Sequence, residues 1–229
     1  MTTISAKLQA VIARIDEAAR KCGRSPGEIE LLAVSKTWPA AAVREAAAAG
    51  QRAFGENYVQ EGADKAAELA ALGLQWHFIG PLQSNKTRVV AETFAWAHAV
   101  DRFKIAQRLS EQRPATSAPL QICLQVNISG EASKSGVAID EVSHLARQVA
   151  QLPRLQLRGL MAIPAPSDVF LQQRQAFARL REVFEQLKSD GLQLDTLSIG
   201  MSHDLEAAIA EGATIVRVGS AIFGERQKT

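Results

Sequence analysis

Short apolar runs alternate along this chain with longer amphipathic stretches. The first such run is Leu31-Leu32-Ala33-Val34. Four apolar residues in a row read as a strand buried on both faces, as in a parallel sheet. It ends in Ser35-Lys36-Thr37, which puts an amine where the strand should stop. The same reading repeated along the chain predicts strands over 28–35, 52–55, 75–79, 94–100, 120–126, 155–163, 194–199 and 214–218. Helices are predicted over 39–49, 59–72, 103–112, 140–151, 170–188 and 205–211, with a short one ending at 90 and a last short piece at the C-terminus. Pro39 suits a first turn and Gly50 a stop. Asp101 is placed to cap the helix over 103–112.

Before the first strand, Leu8, Val11, Ile12, Ile15 and Ala19 fall on one helical face. Lys7, Arg14, Asp16, Glu17 and Arg20 interrupt any continuous apolar run, so this opening helix packs on the body and is not a secretory signal. Strands that alternate with helices imply a parallel sheet. Eight such units in this length favour a closed barrel over an open doubly wound sheet. The expected fold is therefore α/β, a single (β/α)8 TIM barrel with an extra N-terminal helix. No shift in composition divides the chain, so residues 1–229 are expected to form one domain.

Composition narrows the function classes. The chain has 229 residues, 47% hydrophobic and 22% charged, which is ordinary for a globular protein. A net charge of +2, with Lys and Arg spread along the chain, gives no basic stripe for nucleic acid. No stretch approaches the roughly 20 apolar residues of a membrane span. Cys22 and Cys123 are too few for a disulfide framework, have no metal-ligand spacing and fit a reducing cytoplasm. His77, His98, His144 and His203 show no paired ligand spacing either. His77, between Trp76 and Phe78, reads as a hydrogen-bonded core histidine. A nucleophile elbow, a dinucleotide-binding glycine fingerprint and a Walker loop are all missing from the sequence.

The polar residues at strand ends carry the candidate chemistry. Lys36, Asn57, Asn127, Ser202 and Ser220 all follow C-terminal ends of predicted strands. In a barrel those ends share one face, and that face carries the active site. The competing reading is that Asn and Ser are ordinary turn residues. An amine at the mouth of a core loses water, sheds its proton more easily and attacks a carbonyl, which makes Lys36 a Schiff-base candidate. The alternative for Lys36 is a side chain that snorkels into solvent. Gly200-Met201-Ser202 and Gly219-Ser220 follow the last two strands, where barrels frequently hold phosphate. Glycines admit a close backbone, free amides point outward and a helix terminus favours an anion. Ser202 has a competing use as an N-cap. Arg217, inside the otherwise apolar Ile215-Val216-Arg217-Val218, must be paired or face a polar cavity. Asp204 and Glu225 are its candidate structural partners.

Several blocks of sequence then resemble a known family. They are Ser35-Lys36-Thr37, the run 54–61 beginning Phe54-Gly55-Glu56-Asn57-Tyr58, and the run 76–86 from Trp76 to Lys86. Ser133-Lys134-Ser135-Gly136, Arg158-Gly159-Leu160-Met161 and the run 197–224 complete the set. Together they look like the YggS/PROSC family of pyridoxal phosphate homeostasis proteins, and the likeness spans nearly all of the chain after the first helix. The resemblance implies a barrel similar to the alanine racemase N-terminal domain. It also implies pyridoxal 5′-phosphate (PLP) held as an imine on Lys36, a role in cytoplasmic vitamin B6 homeostasis and no established turnover. Asn57 would lie near the cofactor's phenolic oxygen and Arg217 would face its pyridine nitrogen. Met201, Ser202, Gly219 and Ser220 would hold the phosphate. The expected partners are PLP and PLP-dependent apoenzymes, and the expected state is a monomer. Trp38 stands where a lysine is common in the family, Ile199 replaces a frequent methionine and Ser220 a frequent threonine.

An arginine opposite the ring nitrogen disfavours its protonation. That weakens the ring as an electron sink and suits storage better than turnover. The rival reading is a PLP-dependent amino-acid racemase. It needs a second acid/base opposite the lysine, which a tyrosine from an added β domain supplies in the resembling racemases. This chain is expected to lack that domain and has one tyrosine, Tyr58. A third reading is a cofactor-free, imine-forming aldolase. Lys134 is the first candidate to replace Lys36 in the attachment role.

Overall fold

Eight short strands close on themselves because each is flanked by helices that return the chain to the same rim. The computed structural model describes residues 3–131 and 135–225. The strands are β1 (Glu30–Val34), β2 (Ala53–Glu56), β3 (Gln75–Phe78), β4 (Trp96–Val100), β5 (Leu120–Gln125), β6 (Leu155–Met161), β7 (Thr196–Ser198) and β8 (Ile215–Val218). Each pairs in parallel with the next and β8 pairs with β1, giving a closed barrel in chain order. The helices are α1 (Ile4–Lys21), α2 (Ala40–Ala48), α3 (Val59–Glu68), α4 (Thr87–Thr93), α5 (Phe103–Gln112), α6 (Val142–Ala150), α7 (Phe170–Ser189), α8 (Leu205–Ala210) and α9 (Ser220–Phe223). This is the (β/α)8 barrel with an extra N-terminal helix that the periodicity predicts.

Side chains of a strand alternate between its two faces. Here the alternation splits the apolar residues into two clusters. The larger lies between strands and helices and includes Leu31, Ala33, Phe54, Phe78 and Ile122. The smaller fills the barrel, with Leu32, Ala53, Trp96, Cys123, Met161 and Ile215 among its members. The odd–even phase thus decides which residues point to the barrel axis. α1 buries Leu8, Val11, Ile15, Ala18 and Ala19 and packs against α2, α8 and α9. Its Arg14 pairs with Glu206 of α8 at 2.8 Å and donates to the carbonyl of Ser202 at 2.9 Å. The extra helix therefore braces the loop that follows β7.

Strands are shorter than the apolar runs. The run 28–35 yields only Glu30–Val34, because residues Pro26–Glu28 form a 3-10 turn closed by a Ser25–Glu28 capping box. The runs 155–163 and 194–199 likewise keep pairing only over Leu155–Met161 and Thr196–Ser198. The helix predicted over 59–72 stops at Glu68. A 3-10 turn over Ala70–Leu72 follows, and Gly73 turns the chain toward β3 with φ +60°. Asp101 does not cap α5. Arg102 holds the cap position, and the Asp101 carboxylate pairs with its guanidinium at 2.9 Å. Cys22 and Cys123 are both free thiols. Among the described residues, no helix is long and apolar enough to cross a membrane and no cluster of side chains suits a metal ion.

Gly159 marks the tightest contact between strands. It faces Thr196 across β6 and β7, and a Cβ on it would lie 1.8 Å from the Thr196 carbonyl oxygen. Gly159→Ala must push two barrel strands apart and should cost about 3 kcal/mol of stability. Urea denaturation measures this. A variant as stable as the parent would contradict the observed strand contact.

Candidate functional site

The period of two carries three strands directly into one mouth. Leu32 and Val34 of β1 are followed in phase by Lys36, Ala53 and Gly55 of β2 by Asn57, and Ile215 and Arg217 of β8 by Gly219. Lys36, Asn57, Met201, Ser202, Arg217, Gly219 and Ser220 all line one cavity of about 230 Å³ at the C-terminal end of the barrel. Val34, Trp38, Ile79, Ile163, His203 and Gly224 complete its wall. The seven candidate residues come from four separate stretches of chain and meet here. Asn127 does not join them. Its amide accepts from Gly130 N and donates to Glu131 O, closing its own loop. Tyr58 is 54% exposed and is not part of the wall. Lys134 lies outside the described residues.

The charge of the wall is one-sided. Lys36 and Arg217 supply two cations, and no Asp or Glu is found among the described residues lining the cavity. Lys36 is half-buried, Arg217 is buried and Met201 and Ser220 are exposed at the rim. The Asn57 Oδ1 is buried and lacks a hydrogen-bond partner among the described residues. A buried acceptor in this state calls for a donor from a ligand or water. Two backbone donors of the rim are fixed by the chain itself. Met201 N donates to Asp204 Oδ1 at 2.6 Å, and Ile222 N donates to Gly219 O at 2.9 Å. The first amides of α9, at Ser220 and Ala221, precede that first intrahelical bond.

Two structural alternatives raised by the sequence do not hold. Ser202 is not an N-cap, because α8 begins after Asp204 and residues 202–204 form a turn. Arg217 is not held by a carboxylate hydrogen bond. Its guanidinium donates to the carbonyl and the hydroxyl of Ser198, the latter at 2.8 Å, and to Ala162 O at 3.0 Å. Asp204 acts on it only through its charge, which opposes the effect of burial. Burial prevails and lowers the Arg217 pKa to about 10, so the group stays charged at neutral pH.

Behind Arg217 a polar chain crosses the barrel. Ser198 Oγ lies 2.8 Å from His98 Nδ1, His98 Nε2 lies 3.0 Å from His77 Nδ1, and His77 Nε2 lies 3.1 Å from Gln75 Oε1. The amide oxygen of Gln75 accepts only, so His77 must donate from Nε2 and accept at Nδ1. His98 then donates from Nε2 and accepts the Ser198 hydroxyl at Nδ1. Every donor points away from Arg217, and both imidazoles are neutral. Burial pushes the His77 pKa down to about 3, and burial, His77 and Arg217 push His98 well below its usual range.

A second buried network grips the turn that carries Lys36. Ser35 Oγ donates to Glu56 Oε1 at 2.7 Å. Lys65 Nζ of α3 donates to Ser35 O at 2.8 Å, Glu56 Oε1 at 2.7 Å and Glu61 Oε1 at 2.6 Å. Glu61 Oε1 also accepts from Thr37 N at 2.6 Å. Burial raises the Glu56 pKa, against the opposing bonds from Lys65 and Ser35. Sequence reasoning missed this network. The available signal is a charge on each of two faces expected to be apolar, Glu56 in phase with Phe54 on the helix side of β2 and Lys65 on the inner face of α3.

Known proteins share this chain's sequence and fold. Residues 6–227 match the family model described as the alanine racemase N-terminal domain. A pyridoxal phosphate homeostasis protein of Pseudomonas aeruginosa is 64% identical over 226 residues, covering 99% of this chain and 97% of that protein. One of Escherichia coli strain K12 is 57% identical over 229 residues, covering 99% and 98%. The solved structure of PipY from Synechococcus elongatus with PLP bound is 41% identical. It superposes with a TM-score of 0.80 and covers 92% of this chain and 100% of that one.

Because both barrel histidines are held neutral, acid should weaken the fold. The unfolded chain takes up protons as pH falls through about 6.5, while native His77 stays neutral down to about 3. Stability is thus complete above pH 6.5 and should fall below it by about 1.4 kcal/mol per pH unit for each buried histidine. Urea denaturation between pH 7 and pH 5 measures the slope. A flat profile would contradict neutral burial.

Proposed function

This chain belongs to the pyridoxal phosphate homeostasis proteins of the alanine racemase N-terminal domain family, and we propose that it holds PLP on Lys36 at the barrel mouth, as a carrier in vitamin B6 homeostasis and without turnover. The observation that carries this reading is the make-up of the cavity. A small pocket of about 230 Å³ brings together one lysine, one arginine and two serines, with no carboxylate among its described lining residues. That donor set fits a compact anion bearing an electrophile, and the partnerless Asn57 Oδ1 fits a wall completed by a ligand. A cavity below the ~300–1,000 Å³ of drug-sized sites suits a ligand of one aromatic ring and a phosphate. PLP bound to PipY supports the same assignment.

When bound, PLP supplies an aldehyde that condenses reversibly with a primary amine. The residues divide the work around it. Lys36 is the amine, aimed inward by the phase of β1. Ser202 and Ser220 would donate hydroxyls to the phosphate, and the backbone amides of Ser202 and Ser220 would line its cradle. Asn57 would face the phenolic side of the ring. Arg217, locked by Ser198 and Ala162, would offer its remaining donors to the ring nitrogen and would keep a proton off that nitrogen by like-charge repulsion. A ring held in that state assists carbanion chemistry weakly, which favours holding and release to PLP-dependent apoenzymes over turnover. Two free cysteines support a reducing, cytoplasmic setting.

Lys36→Ala should abolish the near-visible absorbance of the PLP-loaded protein and its fixation by borohydride. Thermal stability should change by less than about 0.5 kcal/mol, because the side chain sits at a mouth. An unchanged spectrum would remove Lys36 from the role. Ser220→Asp sets a negative charge against the phosphate and should weaken PLP binding by about tenfold or more, roughly 1.4 kcal/mol. Equal affinity at low salt would move the phosphate away from this loop.

A further inference from the structure

We propose that Glu56, Glu61 and Lys65 are positioning residues for Lys36, gripping the backbone on either side of it so that its amine is held toward the cavity. The inference rests on the reading that Lys36 carries the cofactor. None of the three residues lines the cavity, so each acts through the turn.

The turn itself needs holding. Trp38 N donates to Ser35 O at 3.0 Å, which closes a four-residue turn with Lys36 and Thr37 in its centre. Thr37 has φ +68°. The third position of a turn with positive φ is the place for glycine or asparagine. A β-branched residue there is strained, and such strain persists only where the surroundings over-determine it. The surroundings do so here. The residue before Lys36 is held twice, through its hydroxyl to Glu56 and its carbonyl to Lys65. The residue after it is held through its amide to Glu61. The Lys65 ammonium spends three bonds, as many as its donors, on tying these groups together.

Packing alone does not account for charges at this place. Glu56 is fully buried and Lys65 is 6% exposed. The second carboxylate oxygen of Glu56 is buried without a partner among the described residues. Two apolar side chains of similar volume fill such a space at least as stably as a buried ion pair. What the ions add is direction. The bonds to the Ser35 carbonyl and the Thr37 amide each fix a peptide plane flanking Lys36, and a displacement of about 1 Å at a reacting amine costs up to about 100-fold in rate.

The test uses the full-length protein freed of cofactor and compares it with Glu56→Leu/Lys65→Met and with Glu61→Ala. The first variant removes both buried ions together and keeps the volume apolar. The second removes a partly exposed side chain from a helix in favour of alanine. Three readouts are taken: the rate of PLP attachment followed by absorbance, the affinity for pyridoxamine 5′-phosphate, and the thermal midpoint. Pyridoxamine 5′-phosphate has an amine in place of the aldehyde and cannot condense with a lysine. Attachment should slow by about tenfold or more in both variants, while pyridoxamine 5′-phosphate affinity stays within about twofold and each variant melts cooperatively near the parent. Parental attachment rates would overturn the proposal. A parallel loss of all three readouts would also overturn it, since that is a purely structural role. A parent that attaches no PLP at Lys36 would instead strike the proposed function and leave its own distinct mark.

Discussion

One ammonium, buried where an ammonium is costly, organises the mouth of this barrel. Lys65 has left water to bond Glu56, Glu61 and the carbonyl of Ser35. An ion in that position requires an opposite charge beside it, because an unpaired buried charge is far more expensive than any single bond is favourable. Meeting that requirement draws the end of β1, the end of β2 and the first turns of α3 together. The strained turn at Thr37 follows from it, and so does the path of the chain through Lys36. The site therefore depends on a constraint located outside its own cavity, in the layer between strands and helices.

The opposite wall is built by a different device. Arg217 lies inside the barrel, where its charge is tolerated because Ser198 and Ala162 accept its protons. Neutral His98 and His77 continue the chain of bonds away from it to Gln75 at the far rim. Both walls thus use buried polar groups that are almost completely satisfied. The exceptions are informative. Asn57 Oδ1 at the cavity and Glu56 Oε2 in the lysine clamp have no partner among the described residues. α1 adds a third support by holding the Ser202 carbonyl through Arg14, so the extra N-terminal helix belongs to the architecture of the site.

Much of this was legible from residue order because a barrel converts period-two phase into direction. A lysine two residues after Val34, and an arginine two residues after Ile215, must point at the axis once strands are recognised. The loops after the last two strands were equally readable, since glycine and serine at those places offer amides and hydroxyls. The misreadings share a physical cause. Asp101 and Asp204 are short polar residues near helix starts, and local sequence does not say whether such a side chain caps a helix, pairs with a neighbour or braces a turn. The lysine clamp was invisible for another reason. Its members sit at positions 35, 37, 56, 61 and 65, and only the parallel pairing of β1 with β2 brings them together.

The central claim is that the amine aimed into the mouth is the one that joins PLP. Its most direct test is borohydride reduction of the PLP-loaded protein followed by peptide mapping. The account predicts a pyridoxyl mass on the peptide containing position 36 at close to one per chain. A pyridoxyl mass on any other lysine, with position 36 unmodified, would contradict it.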